Sequence, residues 1–166
     1  MITVRTAFER EVPRLAEIGL IAWEQAILGA ESQAERDGLR RVAQLAFLSF
    51  AGSGWSRIRV AEQGGQLLGW AACERPDGTV TDLWIRPEAQ RQGIGSLLMT
   101  QIEAEIAADG FETAEVSSHA DNRAAIAFFQ KRGYRIAWLS TRYAQRLDRD
   151  VEQIGLRKAL QGATRP

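Results

Sequence analysis

The sequence predicts an α/β protein of the α+β kind, in which helices cover both faces of a mixed, mostly antiparallel sheet of about seven strands. Residues 55–86 contain three consecutive runs that alternate apolar and polar residues, separated by the turn residues Gly64-Gly65 and Pro76-Asp77-Gly78. Strands joined by such short turns pair antiparallel. Residues 94–106 then carry apolar side chains at helical spacing and lead into another strand, 111–118. A helical crossover of this kind makes the two flanking strands parallel.

The first fifty residues predict one short strand and two helices. The strand is 2–5, where apolar and polar residues alternate. The first helix, 12–27, has Pro13 in its first turn, where the missing N–H costs nothing, and Gly29 just beyond its end. The second helix, 31–50, is apolar nearly all round in its last turns. We therefore expect this helix to be buried or to face a partner, and a homodimer is one such arrangement.

The middle of the chain predicts a loop at 51–54 and strands at 55–62, 66–74 and 79–86. The third of these strands should stop at Pro87, because proline cannot donate to a sheet ladder.

The last third predicts one helix, two strands and a tail. The helix begins at Asp121 or Asn122, both good capping residues, and ends at Gly133. The elements that follow are strands at 134–142 and 152–160, a charged loop at 145–150 between them, and a frayed tail at 161–166.

The composition is that of a soluble globular protein. The 166 residues suggest a single domain over 1–166, with 45% hydrophobic and 25% charged residues. The formal net charge is zero, so nothing electrostatic favours a nucleic-acid or membrane partner. The single cysteine, Cys73, excludes an internal disulfide and a cysteine zinc cluster, and we expect no metal site. The first residues lack the regions of a signal peptide, which predicts a cytoplasmic protein.

The junction between the third hairpin strand and the next helix predicts an anion site. Gly93 and Gly95 stand at the start of this helix, where four N–H groups lack partners and the helix dipole favours negative charge. Glycine lets a bulky anion approach the main chain closely, so the segment is suited to phosphate. It is not a P-loop, because no lysine stands beside Ser96. Nor does it have the three-glycine spacing of a dinucleotide fingerprint.

Two segments carry a resemblance to a known family. Gln90-Arg91-Gln92-Gly93-Ile94-Gly95 is similar to the Gln/Arg-x-x-Gly-x-Gly signature of the GNAT superfamily of N-acetyltransferases. The segment from Asn122 to Tyr134 resembles the family's Asn-x-x-Ala-x-x-Phe-Tyr-x-x-x-Gly-Phe/Tyr helix. The resemblance covers 57–160 well and the first fifty residues loosely. It implies a GNAT-like sheet that is splayed between the strand containing Leu83 and the strand 111–118, with acetyl-coenzyme A in the gap.

The resemblance also implies roles for individual residues. The main-chain N–H groups that would bind the pyrophosphate belong to Arg91, Gln92, Gly93, Ile94, Gly95 and Ser96. Ile85 would bond the pantetheine arm through its main chain, and its N–H would polarise the thioester carbonyl. Asn122 resembles a cofactor-side asparagine, with a plain helix cap as the alternative. Phe129 stands on the cofactor side where the family often has the tyrosine that protonates the departing thiolate.

Phenylalanine has no proton to give, so Phe129 is the main departure from the family pattern. Ser117, Ser118 and Tyr143 are weak replacement acids. The thiolate also needs little help near neutral pH, since a thiol has a pKa of about 8.5. We therefore expect a slower enzyme rather than an inactive one.

Asp82 is the predicted general base, because it precedes the acetyl-bearing strand residues and can take a proton from an ammonium group directly or through water. A solvated strand residue is the alternative, and Glu74 is a weaker second choice. His119 is the only histidine, and a surface or loop role is favoured over catalysis. The predicted acceptor pocket includes residues whose alternative role is core packing: Trp23, Trp84, Trp138 and Tyr143.

The leading hypothesis is an acetyl-coenzyme A-dependent N-acetyltransferase. Transfer would be direct, to a primary amine of a small molecule or a protein, because no nucleophile stands on the acetyl-bearing strand. A non-catalytic acyl-coenzyme A-binding module on the same fold is the alternative, and Phe129 is its motivation. A third hypothesis is an interaction protein that uses the fold only as a scaffold.

Overall fold

The structure is a computed structural model that describes residues 1–29 and 31–161. Four α-helices occur in this part of the chain: α1 Val12–Ile27, α2 Gln33–Gly54, α3 Ile94–Ala108 and α4 Arg123–Lys131. The same residues form eight strands: β1 Thr3–Thr6, β2 Ile58–Gln63, β3 Gln66–Ala72, β4 Thr79–Val80, β5 Asp82–Ile85, β6 Thr113–His119, β7 Arg135–Ala144 and β8 Arg149–Ala159.

The strands form two four-stranded sheets. The first has the order β1-β2-β3-β5 and is antiparallel throughout. The second has the order β4-β6-β8-β7, in which β4 and β6 are parallel and the other pairs are antiparallel. The predicted fold class, mixed and mostly antiparallel with helices on both faces, is confirmed.

The eighth strand arises because the predicted strand 79–86 divides at Thr81. Before this residue, Val80 pairs with Val116 of the second sheet. After it, Asp82 pairs with Ala72 of the first sheet. The Thr81 N–H also donates to the Ala72 carbonyl at 2.9 Å, so the chain changes sheets at one residue. Beyond that point the sheets diverge, and this opening is the splay that the family resemblance implied.

Helices α1 and α2 together cover one face of the first sheet. Trp70 is completely buried there, and its indole N–H donates to the Leu15 carbonyl of α1 at 2.9 Å. Phe47 of α2 meets the rings of Trp70 and Trp84 edge-on, with centroids 6.2 and 5.4 Å apart. A Cβ on Gly19 of α1 would stand 2.6 Å from the Phe47 ring. The close approach of α1 and α2 therefore fixes the arrangement of the Phe47, Trp70 and Trp84 rings. A second core, between α3, α4 and the second sheet, covers the opposite face.

The sequence prediction was wrong at the end of α2. The predicted loop 51–54 is the last turn of the helix, followed by a 3-10 turn at Trp55–Arg57, so β2 begins only at Ile58. Ala51 and Gly54 are buried in this turn, and packing of this face outweighs the low helix propensity of glycine. Of the predicted frayed tail, 162–166 lies outside the described residues. Within the described ranges, no helix combines the length and the apolar character that crossing a membrane requires.

Candidate active site

The loop between β5 and α3 presents a row of free main-chain N–H groups. In the part of the chain that the structure describes, none of the N–H groups from Arg91 to Ser96 donates a hydrogen bond. Arg91 and Gly93 both adopt left-handed backbone conformations, with φ of 62° and 79°. A Cβ on Gly93 would find nothing within 4 Å, so the space in front of the loop is open. This is the geometry of an anion site at a helix N-terminus.

The start of α3 is held in place by α4. A Cβ on Gly95 would stand 3.3 Å from the Phe128 ring, so a larger residue would require the ring to shift by a few tenths of an ångström. Arg132, just after α4, donates to the Ser96 carbonyl at 3.3 Å and to both oxygens of the buried Glu103 at 3.0 Å. Lys158 of β8 also donates to Glu103, at 2.7 Å. These contacts hold the first turn of α3, and with it the N–H groups of Gly95 and Ser96, in place.

Strand β5 turns main-chain groups toward the opening between the sheets. Ile85 stands opposite Gly69 of β3, while the Arg86 N–H donates to the Leu68 carbonyl at 2.9 Å. Ile85 is therefore a non-hydrogen-bonded position of the β3–β5 ladder, and so is Leu83, two residues earlier. Their N–H and C=O groups point away from β3. No strand among the described residues pairs with that edge, and the Ile85 carbonyl there accepts from the Gln90 side-chain Nε2 at 3.3 Å. An extended ligand that displaces this side chain can add to the edge.

A cleft of about 350 Å³ lies between the diverging sheets. Its walls come from α1, α2, β5, β6, the start of α4 and the β7–β8 turn. Several of the predicted site residues line it: Trp23, Asp82, Trp84, Asn122, Phe129 and Tyr143. The weaker candidates Glu74, Ser117, Ser118 and His119 also line it.

Asp82 is buried at the base of the cleft, with 4% of its surface exposed. Its Oδ1 accepts hydrogen bonds from the Trp84 indole N–H at 2.9 Å and from Arg146 Nη2 at 3.0 Å. Arg146 lies in the turn between β7 and β8, and its guanidinium carbon is 4.1 Å from the centroid of the Phe47 ring. The Asp82 side chain is thus held by a neighbour on its own strand and by the β7–β8 turn.

His119 ends β6 on the opposite wall. Val80 pairs with Val116 in parallel. His119 lies three residues beyond Val116 and is therefore level with Leu83, three residues beyond Val80, across the opening. Its ring makes no hydrogen bond with any described residue, and it is half-buried. Burial lowers the pKa of the His119 imidazole, and the positive charges of Arg149 and Arg146 act in the same direction, whereas Asp121 raises it. The imidazole is therefore neutral at neutral pH.

The α4 residues occupy the positions that the sequence predicted. The side chain of Asn122 caps the helix, since its Oδ1 accepts from the Ala125 N–H at 3.1 Å, and the residue also lines the cleft. Phe129 is 7% exposed and packs edge-on against Phe128 and Tyr134. The Tyr134 hydroxyl is buried outside the cleft lining, and burial raises its pKa. It does not replace the missing tyrosine.

Of the predicted pocket residues Tyr143 and Trp138, the structure places only Tyr143 in the cleft. Tyr143 lines the cleft and is 59% exposed. Its hydroxyl donates to Asp148, which raises the pKa of the phenol. Trp138 is not among the cleft residues. Its ring lies against Gly155 of β8 and beneath the Arg142 guanidinium, at 3.8 Å from the ring centroid, so the structure does not bring it to the other candidates.

Sequence reasoning missed Arg146, which it assigned only to a charged loop. The one signal was Leu147, an apolar residue in that loop. Leu147 is 4% exposed and packs into the core of α1 and α2, so it anchors the turn over the cleft and places Arg146 inside. Within the described ranges, no three His, Cys, Asp or Glu side chains gather closely enough to hold a metal ion.

These features fit a class of protein that binds a phosphate-bearing ligand at a helix N-terminus and along a strand edge. Comparison with known proteins agrees with this description. Residues 20–134 match the family model described as the acetyltransferase (GNAT) family. The chain therefore belongs to the GNAT acetyltransferase family, whose cosubstrate is acetyl-coenzyme A. A search of curated protein sequences gives no match.

Solved structures share the fold at low sequence identity. A GCN5-related N-acetyltransferase from Rhodopseudomonas palustris has a TM-score of 0.74 and 22% identity, with 95% of each chain covered. The PaiA N-acetyltransferase from Thermoplasma acidophilum, solved with coenzyme A, has a TM-score of 0.74 and 17% identity, covering 96% of this chain and 99% of that one. YncA from Salmonella typhimurium, a putative acetyltransferase solved with acetyl-coenzyme A, has a TM-score of 0.70 and 18% identity, covering 100% and 98%.

Proposed function

We propose that this protein transfers the acetyl group of acetyl-coenzyme A directly to a primary amine of a small molecule or a protein. One observation carries the proposal: the free N–H groups from Arg91 to Ser96 follow directly on the unpaired edge of β5 at Leu83 and Ile85, and Leu83 lines the cleft. That combination suits a ligand with a diphosphate at one end and an extended amide-bearing arm at the other.

The loop residues would hold the diphosphate, and each charge-assisted hydrogen bond there contributes about 1.5–3 kcal/mol. Arg91 adds an exposed positive side chain at the same place. The outward main-chain groups of Leu83 and Ile85 would bond the pantetheine arm and polarise the thioester carbonyl, as in an oxyanion hole. The bound thioester supplies the activated acetyl group. The chain supplies position and orientation for it.

The acceptor amine arrives as an ammonium and must lose a proton before it attacks. Asp82 is the proposed base: its Oδ1 is occupied by Trp84 and Arg146, and its Oδ2 accepts no hydrogen bond from the described residues. Oδ2 is therefore available to the amine or to a water between them. His119 is a second candidate, because its neutral imidazole lines the opposite wall with an unshared lone pair.

The thiol product would leave without help from residue 129. Phe129 fills the position of the family's acid and carries no proton to give. The hydroxyls of Ser117 and Ser118 line the same cleft and are the proposed donors of a hydrogen bond to the departing sulfur. Because a thiolate is a modest base, slow protonation there would limit the rate without abolishing transfer.

The rival function is a non-catalytic acyl-coenzyme A-binding module, which Phe129 favours. Steady-state release of thiol from acetyl-coenzyme A with a panel of primary amines separates the two functions. A transferase releases thiol in proportion to the added amine. Coenzyme A binding with no release for any amine of the panel would establish the rival.

Acceptor type and assembly are parts of the same proposal. A structural neighbour from Escherichia coli is a ribosomal-protein-S18-alanine N-acetyltransferase, with a TM-score of 0.68 and 21% identity, so a protein amine remains in the panel beside small molecules.

A homodimer through α2 rests on Val42 and Leu45, which are 41% and 64% exposed. Sedimentation at several concentrations tests it.

A further inference from the structure

A partly buried ion pair lines the acceptor end of the cleft. Asp82 of β5 and Arg146 of the β7–β8 turn are 3.0 Å apart from Oδ1 to Nη2, and their side chains are 3% and 25% exposed. The pair joins the two sheets across the opening. Both members line the cleft, so a negative and a positive group stand side by side where an acceptor must bind.

Each member of the pair retains unused hydrogen-bonding capacity. Oδ1 of Asp82 accepts from both Trp84 and Arg146, whereas Oδ2 accepts from no described residue. A guanidinium has five N–H donors, and Arg146 uses one of them within the described part of the chain. Its Nε is buried without a partner. The site therefore offers a free carboxylate oxygen next to free guanidinium donors.

The surroundings of the pair make its charges effective and its geometry fixed. The Arg146 guanidinium carbon lies 4.1 Å from the Phe47 ring centroid and 5.5 Å from that of Trp84, so cation–π contacts hold the group. The part of the cleft wall that α1 and α2 supply is apolar, from Trp23, Ile27, Ala46 and Phe50, whereas polar residues such as Glu74, Asn122 and Gln153 line other parts of it. Charges in such surroundings interact more strongly than in water.

We propose that the acceptor is an apolar α-amino acid, whose ammonium group binds Asp82 and whose carboxylate binds Arg146. This inference rests on the proposed transferase function. A zwitterion places its positive end on the carboxylate and its negative end on the guanidinium, so the occupied site carries no added net charge. A simple amine brings only the positive end and leaves the guanidinium donors unsatisfied. The apolar wall would take the side chain.

The alternative acceptors lack one part of this match. The N-terminal amine of a protein has no carboxylate on its α-carbon, because that group is a peptide bond. A lysine side chain has its amine far from any carboxylate. A site built to bind a polar group discriminates strongly against analogues without it, because its own polar groups are then left unpaired.

The test uses acceptor pairs that differ only in the carboxylate, with thiol release as the assay. The pairs are phenylalanine with phenethylamine, leucine with isoamylamine, and tryptophan with tryptamine. We expect kcat/KM to favour at least one amino acid over its decarboxylated partner by at least about tenfold. Arg146→Gln should reduce that ratio to about one, mainly by raising KM for the amino acid, and Arg146→Lys should give an intermediate ratio because it keeps the charge without the planar fork.

The matched control is Arg142→Gln. Arg142 is on the same hairpin but lies over Trp138, outside the cleft lining, so the ratio should stay at the wild-type value. Coenzyme A titration of each variant by calorimetry checks that it is folded. Decarboxylated amines that equal or exceed their amino acids overturn the inference while leaving the transferase intact. A peptide amine preferred over every amino acid does the same. No thiol release from any compound overturns both proposals.

Discussion

The two ends of the proposed site, the loop from Arg91 to Ser96 and the cleft beside β5, are built from different parts of the polypeptide. At the diphosphate end the functional groups are main-chain N–H groups of a single loop, from Arg91 to Ser96. At the acceptor end they are side chains from separate elements, with Asp82 on β5, Arg146 in the β7–β8 turn and His119 on β6. The first end depends on backbone conformation, and the second depends on how distant elements pack. Substitutions at the two ends should therefore fail in different ways.

The largest effect is expected at the diphosphate end. Gly93→Asp places a carboxylate at a backbone position with φ of 79° and open space in front of it, so it adds a repelling charge where the phosphate would bind. Loss of two charge-assisted hydrogen bonds would weaken coenzyme A binding at least about a hundredfold. Calorimetry measures the dissociation constant.

Gly64→Asp is the control for this substitution. Gly64 lies in the β2–β3 turn with φ of 57° and equally open space, far along the chain from the loop. It takes the same side chain in a left-handed conformation, so both variants should lose similar thermal stability. Only the Gly93 variant should lose affinity. Equal affinities of the two variants would contradict the phosphate assignment.

At the acceptor end, Asp82→Asn should reduce kcat about a hundredfold, since general-base catalysis contributes on that order. Coenzyme A affinity should change little, because the diphosphate groups are elsewhere. The deficit should be largest at low pH, where the amine is hardest to deprotonate, and should narrow as the pH rises. A deficit that is the same at every pH would remove Asp82 as the base.

His119→Gln tests the second proton acceptor. Burial lowers the pKa of His119 below its ordinary value of 6.5. The imidazole is therefore neutral at neutral pH and can accept a proton. If His119 acts, kcat of the wild type falls with decreasing pH at a point below the ordinary imidazole pKa of 6.5, and the variant loses this acid limb with a plateau about tenfold lower. If kcat of the variant still falls at low pH, Asp82 alone accepts the proton of the amine.

The smallest effect is expected for Phe129→Tyr. The residue is 7% exposed and lines the cleft, so a hydroxyl added there can reach the departing sulfur. We expect a gain in kcat of less than about tenfold, because a thiolate needs little protonation near neutral pH. Single-turnover acetyl transfer measures it. An unchanged rate would indicate that Ser117 or Ser118 already donates.

The same contrast explains how far sequence reasoning reached. The glycine turn at the start of α3 and the capping Asn122 were predictable, because backbone conformation at Gly93 and a helix cap are set by neighbouring residues. The strand pairing around Gly64-Gly65 was predictable for the same reason, and both glycines adopt positive φ. Ala51–Gly54 was not, because packing against the core overrides local propensity there.

The acceptor end was only partly predictable. Asp82 and Trp84 follow from the strand that carries the loop, whereas Arg146 reaches Asp82 across 64 positions of sequence. That contact depends on Leu147, which anchors the β7–β8 turn in the core formed with α1 and α2. No local sequence pattern specifies this packing. Trp138 was grouped with the pocket because tryptophan is rarely left on a surface, but stacking beneath Arg142 and against Gly155 accounts for it.

The most direct test of the account is a calorimetric titration of the purified, folded wild-type protein with coenzyme A and, separately, with pantetheine, which lacks the diphosphate. If the amides from Arg91 to Ser96 hold the diphosphate, coenzyme A gives a saturable heat at one site per chain, and pantetheine binds at least about a hundredfold more weakly. Equal affinities for the two ligands, or no heat with coenzyme A, would contradict it.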